Sequence, residues 1–251
     1  MYSNKQPSSL FLYDKIDSTN LEAKRHASAY LEHPKVFIAK EQTSGRGRLN
    51  REWISSSKDG LYMSILFNSN LPSSNISSLS LISGLSICKS INKFANNKAL
   101  IKWPNDIIIE NKKVCGILLE SIIYSNKLSS IILGIGINIT NKKFENELAQ
   151  KATSLYIETH KIIDCKNVVQ EILKNFSFYY NRLLSNKFGE VINEYKNLCV
   201  SINRNVTIKR LDGDIEAFSK DIDSKGNLIV ITNDFKEMNI NSCEVVVQGI
   251  Y

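Results

Sequence analysis

Short apolar runs along the first 200 residues predict a mixed β-sheet. Each run is bounded by polar or glycine-containing segments, as β-strands are. The predicted strands cover residues 10–13, 36–40, 61–67, 100–103, 107–110, 113–124 and 128–139. The last four follow one another closely, and their near-continuous apolar character indicates a sheet that helices cover on one face. Asn111-Lys112 suits a tight hairpin between two of them.

Segments with helical periodicity alternate with these strands. Apolar residues recur every three or four positions in residues 21–31, 76–95, 168–184 and 191–199. The first helix is expected to begin near Ser18 or Thr19, because Thr19 and Glu22 have the spacing of a capping box. Its first-turn amides would then face whatever lies beyond the helix end.

The pattern changes after Ser201. Short alternating runs at 206–210, 216–222, 228–232, 237–241 and 244–248 are broken by turn-forming residues. They predict a small antiparallel β-domain, an SH3-like barrel. The fold class is therefore α+β: a mixed β-sheet with helices on one face over residues 1–200, followed by the barrel over residues 201–251.

Composition excludes several classes of protein. Hydrophobic residues make up 43% and charged residues 23%, as in ordinary globular domains, which excludes wholesale disorder. No apolar run approaches the roughly 20 residues of a membrane span, and the N-terminus has no signal-peptide pattern. We therefore expect a cytoplasmic protein. The five cysteines and three histidines lack zinc-site spacing, so reduced thiols are expected and a metal cluster is not.

Positive charge is concentrated before residue 201. The net charge is +7, and residues 201–251 hold six basic and eight acidic side chains, so the excess lies in the first 200 residues. Such a surface favours anions: nucleotide phosphates, an acidic protein or nucleic acid. A composition bias of the source genome that makes Lys, Asn and Ile frequent would give the same overall charge.

The segment 45–53, GRGRLNREW, is the densest candidate for chemistry. Glycines let a backbone approach a ligand closely. Three arginines on one loop offer charged, planar groups for phosphate or carboxylate. The aromatic face of Trp53 beside them suits a nucleotide base. The alternative is an RNA-binding or merely solvated arginine loop.

Residues 102–106, KWPND, end a predicted strand. Pro104 stops the strand ladder, so Asn105 and Asp106 would project where ligands often bind. A plain turn with a core tryptophan is the alternative. Lys102 is expected to have a structural role.

Two further segments contain glycines inside predicted strands. In residues 112–120, KKVCGILLE, Gly116 indicates a bulge or close backbone approach, and Lys113 is either a cleft cation or a solvated edge lysine. In residues 134–138, GIGIN, Gly134 and Gly136 suggest a groove floor that ends in a polar Asn138. A third glycine and a following helix, which a dinucleotide-binding turn needs, are missing there.

In this order and at these gaps, the four motifs resemble those of biotin protein ligases. Ser18-Thr19-Asn20 and Gln42 match as well, and the resemblance runs from about residue 10 to the end of the chain. It implies the class II aminoacyl-tRNA synthetase-like catalytic fold over residues 1–200. It also implies a two-step reaction. Biotin carboxylate attacks the α-phosphorus of ATP to give biotinoyl-5′-AMP and pyrophosphate. A lysine amine of an acceptor domain then displaces AMP.

The resemblance implies a role for each motif residue. The implied biotin-binding residues are Ser18, Thr19, Asn20, Gln42, Gly45, Arg46, Gly47, Arg48, Lys113, Gly116, Gly134 and Gly136. The implied ATP-binding residues are Arg46, Arg48, Arg51, Trp53, Asn105, Lys113 and Asn138. Lys113, Arg48 and Asp106 are the implied catalytic residues, with Asp106 assisting the incoming lysine. Mg²⁺ is expected on the ATP phosphates, with no metal site on the protein.

The expected partner is a biotin carboxyl carrier protein, and the expected state is a monomer or weak homodimer. Because the first strand begins near residue 10, we expect no sequence-specific DNA binding, and we expect no membrane binding. A lipoate or octanoate ligase of the same fold is the first alternative. A nucleic-acid-binding module is the second, and a non-catalytic β-barrel adaptor is the third.

Overall fold

The computed structural model describes residues 9–28, 31–55, 58–69, 71, 75–124, 127–210, 212–241 and 243–251. The chain divides into two compact units. The first consists of Met1–Ser74 and Cys115–Lys142, and the second of Asn75–Val114 and Lys143–Tyr251. Residue 211, one of the turn-forming residues between the predicted runs 206–210 and 216–222, lies outside the described residues. The predicted boundary between residues 200 and 201 stays a prediction.

Strands and helices succeed one another along the chain. They are β1 (Ser9–Ile16), α1 (Thr19–Arg25), β2 (Lys35–Gln42), β3 (Gly60–Asn68), α2 (Ile76–Asn92), β4 (Leu100–Lys102), β5 (Asp106–Ile109), β6 (Lys112–Tyr124), β7 (Lys127–Asn138), α3 (Leu148–Lys151), α4 (Leu155–Thr159), α5 (Cys165–Leu184), α6 (Phe188–Leu198), β8 (Arg204–Lys209), β9 (Ile215–Ile222), β10 (Leu228–Thr232), β11 (Glu237–Ile240) and β12 (Glu244–Val247).

The first unit is built on a mixed sheet. Its strands lie in the order β1-β2-β3-β7-β6, with β1 and β2 parallel and the other neighbours antiparallel. Helix α1 packs Ala23 into a buried cluster with Phe37, Leu66 and Ile132. This contact holds the start of α1 at the ends of β1 and β2, where the biotin-binding residues are predicted.

The second unit contains helices and two β-structures. Strands β4 and β5 form an antiparallel pair. The C-terminal strands form an antiparallel sheet in the order β11-β10-β9-β8-β12. Trp103 is fully buried and joins the two regions, because its backbone N–H donates to Ser201 Oγ at 3.0 Å and its indole N–H donates to the Gly226 carbonyl at 3.3 Å.

The predicted fold is confirmed at the level of its layers. A mixed sheet with helices precedes a C-terminal antiparallel sheet. In the described part of that second sheet the strand order is open, with β11 and β12 at its two ends, so closure into a barrel is not established. In the described ranges, no helix is long and apolar enough to cross a membrane.

Three local predictions were wrong. Helix α1 ends at Arg25, short of residue 31, and it has no capping box: Ser18 is the N-cap, and its side chain makes no capping hydrogen bond. Instead, Gln42 accepts the Thr19 N–H. The hairpin lies one residue earlier than predicted, since Glu110 and Asn111 have positive φ (48° and 61°), as its central residues require, and Lys112 already begins β6.

The short helices α3 and α4 were not predicted. Four and five residues are too few to show a helical period. Local capping supports α4, because Ser154 Oγ accepts the Ile157 N–H at 3.0 Å.

Candidate active site

The start of α1 and the end of β2 form a buried polar group. The Thr19 backbone N–H and hydroxyl both donate to Gln42 Oε1, at 2.8 and 3.1 Å. The Gln42 amide nitrogen then donates to Ser55 Oγ at 3.1 Å. Ser18, Thr19 and Gln42 are all buried. Polar groups fixed in a buried setting are the kind that orient a small ligand in a binding site.

Salt bridges outside this group hold the N-terminus of α1. The Ser18 N–H donates to Asp17 Oδ1 at 2.7 Å. Arg25, one helix length away, pairs with both Asp17 and Glu22. Hydrogen bonding from the Arg25 guanidinium lowers the pKa of both carboxyls, which keeps them ionised beside the helix N-terminus, where negative charge is stabilising.

Asn20 lies directly on β7. Its amide nitrogen donates to Glu120 Oε2 at 2.7 Å, and its Oδ1 accepts from Ser64 Oγ at 2.6 Å. A Cβ on Gly134 would lie 2.8 Å from the Asn20 Cγ and closer still to Oδ1. Only glycine at position 134 therefore leaves room for the Asn20 amide.

The other motif glycines follow the same face of the sheet. Gly136 is in register with Tyr62 of β3 on one side and with Gly116 of β6 on the other. The Trp53 indole lies over Gly136, where an added Cβ would be 2.5 Å from its Cε2. One position further along this face, Asn138 is opposite Gly60 and is buried. The glycines thus form a shallow strip bounded by the Trp53 ring and two asparagines.

The arginine loop is a tight, two-sided turn. The Trp53 N–H donates to the Gly45 carbonyl at 3.0 Å, and the Gly47 N–H donates to the Arg51 carbonyl at 2.7 Å. Between these two bonds, Arg46 and Glu52 form an isolated antiparallel β-bridge through their backbones. Gly45 is required because a Cβ there would lie 2.5 Å from Ser55 Oγ.

The tip of this loop is a tight turn, Arg48–Asn50, which Arg46 and Arg51 flank. Leu49 and Asn50 have positive φ there, 54° and 58°. Arg46 and Arg51 are exposed and Arg48 is half-buried. Arg46 Nη1 is 3.6 Å from Glu120 Oε1, the same carboxylate that binds Asn20. The loop therefore carries three guanidinium groups, and Glu120 joins it to the buried polar group.

The second unit carries the remaining predicted residues. Lys113 Nζ is 2.7 Å from Asp106 Oδ1, and the Tyr251 hydroxyl donates to Asp106 Oδ2 at 2.5 Å. Lys102 is buried, with its Nζ 3.8 Å from the centre of the Tyr251 ring. Asn105 lies half-buried in the turn that precedes β5.

Every predicted site residue therefore lies in a described part of the chain. Lys102, Asn105, Asp106 and Lys113 belong to the second unit, and the others belong to the first. Sequence reasoning did not assign Ser55, Ser64, Glu120 or Tyr251 to the site. A serine inside the otherwise apolar run 61–67 was a usable signal for Ser64. Tyr251 lies outside every motif and had no such signal.

Comparison with known proteins places the chain in a family. Residues 12–138 match the biotin/lipoate A/B protein ligase family, and residues 201–247 match the biotin protein ligase C-terminal domain. The chain belongs to the biotin/lipoate A/B protein ligase family. Its first matched region contains the arginine loop and the glycine strip, and its second contains β8 to β12.

Similar proteins include bacterial ligases along nearly the whole chain. The bifunctional ligase/repressor BirA of Bacillus subtilis is 31% identical over 227 residues, which are 90% of this chain and 70% of that protein. The biotin–[acetyl-CoA-carboxylase] ligase of Paracoccus denitrificans is 25% identical over 221 residues, 86% of this chain and 91% of that protein.

A solved family structure is also close. The biotin protein ligase of Aquifex aeolicus in complex with biotin and ATP superposes with a TM-score of 0.83 at 29% identity, covering 96% of this chain and 99% of that chain. The absence of sequence-specific DNA binding stays a prediction for this member of the family.

Proposed function

We propose that this chain is a biotin protein ligase, which activates biotin as biotinoyl-5′-AMP and transfers it to a lysine of a biotin carboxyl carrier protein. The buried Thr19–Gln42–Ser55 group carries the proposal, because it fixes polar groups beside the face of the sheet on which the motif glycines lie. Family membership and the names of the relatives support the same activity.

In this proposal the first unit binds biotin. Ser18, Thr19 and Gln42 bind the ureido ring, with Asn20 beside them. Gly116, Gly134 and Gly136 are proposed to line the path of the valeryl chain, beside the Asn20 amide over Gly134 and the Trp53 ring over Gly136. Gly45 and Gly47 let the arginine loop approach the ligand, since a Cβ at Gly47 would meet the Arg51 carbonyl oxygen at 3.2 Å.

The arginine loop is proposed to bind the nucleotide. Attack of the biotin carboxylate on the α-phosphorus brings two anions together, and pyrophosphate leaves as the new acyl–phosphate bond forms. Arg46, Arg48 and Arg51 offset that repulsion and stabilise the charge that develops in the transition state. Trp53 is proposed to cover the adenine, with Asn105 and Asn138 binding phosphates. Mg²⁺ held mainly by the ATP phosphates would add positive charge there.

Lys113 and Asp106 are proposed as catalytic residues. The Lys113 ammonium pairs with the biotin carboxylate and α-phosphate during adenylation. In the second step an acceptor amine attacks the acyl carbon, the acyl–phosphate bond breaks, and AMP leaves. Asp106 is proposed to orient that amine and take its proton. The 2.7 Å ion pair between the two side chains supports a shared role for Lys113 and Asp106.

The proposal includes the finer structural predictions. Residues 201–251 are proposed to close into an SH3-like barrel that forms a domain separate from residues 1–200. The protein is proposed to be cytoplasmic and to act as a monomer or weak homodimer.

Pyrophosphate exchange tests the activity. Purified protein with ATP and Mg²⁺ is expected to exchange labelled pyrophosphate into ATP when biotin is added. Lipoate is the matched control substrate, because the family description covers both acids. Exchange with lipoate instead of biotin would overturn the proposed substrate. If the folded protein gives no exchange with either acid, the proposed adenylation is wrong.

A further inference from the structure

Asp106 contacts residues from distant parts of the second unit, by an ion pair at one oxygen and a hydrogen bond at the other. It begins β5 and pairs through Oδ1 with Lys113 of β6, at 2.7 Å. Through Oδ2 it accepts the hydroxyl of Tyr251, which follows β12, at 2.5 Å. The Tyr251 hydroxyl therefore supplies the directional contact to this carboxylate, and the Lys113 contact is an ion pair.

The Tyr251 ring is itself held in place. Lys102 Nζ lies 3.8 Å from the ring centre, well within the range of a cation–π contact. Lys102 is only 7% exposed, so this ammonium has little water to solvate it and gains from the ring face. Lys102 therefore orients the ring that donates to Asp106.

The Tyr251 hydroxyl limits the rotation of the Asp106 carboxylate. A hydrogen bond to an ionised acceptor is about twice as strong as one between neutral groups. With Oδ2 bound to Tyr251, Oδ1 is left to face Lys113. Without the hydroxyl, the carboxylate can rotate and present either oxygen, and the Lys113 ammonium loses its fixed direction.

We propose that Tyr251 is a positioning residue for the Asp106–Lys113 pair: its hydroxyl orients Asp106, and Asp106 in turn holds Lys113 in place for adenylation. This inference rests on the proposed function, because it takes Lys113 to be the group that meets the substrate carboxylate. It assigns a task in the first reaction step to a residue of the C-terminal region, outside all the motifs.

Tyr251→Phe tests the inference, since it removes the hydroxyl and keeps the ring beneath Lys102. We expect kcat for biotin-dependent pyrophosphate exchange to fall roughly tenfold, the loss of one charge-assisted hydrogen bond, while the KM for biotin stays unchanged. Tyr179→Phe is the matched control, because the Tyr179 hydroxyl also donates to a carboxylate of the second unit, Glu194 Oε2, at 2.8 Å. Its kcat is expected to match the wild type.

The same substitution in an Asp106→Ala background separates positioning from general support of the fold. If Tyr251 acts through Asp106, Tyr251→Phe causes no further loss of exchange in that background. An equal loss in both backgrounds, an unchanged kcat in Tyr251→Phe, or an equal loss in Tyr179→Phe would overturn the inference. If the wild-type protein gives no biotin-dependent exchange, the proposed function is overturned instead, so the two failures are distinguishable.

Discussion

Replacement of Gly134 by alanine tests the tightest contact beside the proposed biotin site. A Cβ at this position would lie 2.8 Å from both Cγ and Nδ2 of Asn20 and closer still to Oδ1. The Asn20 amide has little freedom to move away. The residue is 5% exposed and bonded to Ser64 at 2.6 Å and to Glu120 at 2.7 Å. The methyl group must therefore break these bonds and strain the packing around β7.

The magnitude follows from the interactions that are lost. The bond to Ser64 is worth about 1 kcal/mol, and the bond to the Glu120 carboxylate about 2 kcal/mol. Overpacking destabilises the folded protein by about 1–3 kcal/mol more. Alanine also restricts the unfolded chain more than glycine does, which offsets about 0.4–1 kcal/mol of the loss. We expect Gly134→Ala to lower the free energy of unfolding by about 3–6 kcal/mol. Biotin is expected to bind at least about tenfold more weakly, because the substitution displaces Asn20 beside the proposed site. A loss of about 1.4 kcal/mol of binding free energy gives that change in Kd.

Urea denaturation and calorimetric titration with biotin measure the two effects. Gly189→Ala is the matched control, because nothing lies within 4 Å of its added Cβ, and it should stay within about 1 kcal/mol of the wild type. Asn20→Ala combined with Gly134→Ala removes the clash, so it should be more stable than Gly134→Ala alone and still bind biotin weakly. A Gly134→Ala protein with wild-type stability and biotin affinity would refute the reasoning.

Other substitutions and reagents test separate parts of the account. Lys113→Ala should abolish biotin-dependent pyrophosphate exchange while leaving the protein folded, and near-normal turnover would remove Lys113 from catalysis. Arg48→Gly should release biotinoyl-AMP and label lysines of an added bystander protein on a streptavidin blot, and an unlabelled bystander would contradict this role. Arg25 lowers the pKa of Asp17 and Glu22, so their stabilising effect is present at neutral pH and is lost as the pH falls through the lowered values. Arg25→Gln should therefore flatten the acid side of the stability profile, and an unchanged slope would contradict the assignment. Burial raises the pKa of Cys88 to about 12 and that of Cys199 to about 11, so iodoacetamide at pH 8 should modify them only after unfolding. Mass spectrometry of the native protein checks this, and rapid modification would contradict it.

Much of the fold was predictable because its strongest signals are local. Residues 228–232 were predicted as the strand that the structure contains, β10, since alternation and flanking turns define it fully. The predicted start of α1 near Ser18 or Thr19 agrees with the structure. The predicted capping does not, because the Thr19 N–H donates to Gln42, over twenty residues away. Which of two acceptors satisfies an amide depends on tertiary contacts that periodicity does not report.

The candidate site was predictable as a set of motifs but not as a network. Glycines 134 and 136 suggested close approach, and the structure names the neighbours: Asn20 over one and Trp53 over the other. Glu120, which joins Asn20 to Arg46, required the register of β6 against β7. Tyr251 required a contact between residues 145 positions apart, for which no local pattern exists.

Transfer of biotin to a carrier domain is the most direct test of the proposed activity. The purified chain is incubated with biotin, ATP, Mg²⁺ and a biotin carboxyl carrier domain, alongside the same domain with its acceptor lysine changed to arginine. We predict one biotin on the native domain, detected by intact mass, and none on the arginine variant. A carrier that stays unmodified while pyrophosphate exchange proceeds, or equal labelling of both domains, would contradict the proposed ligase.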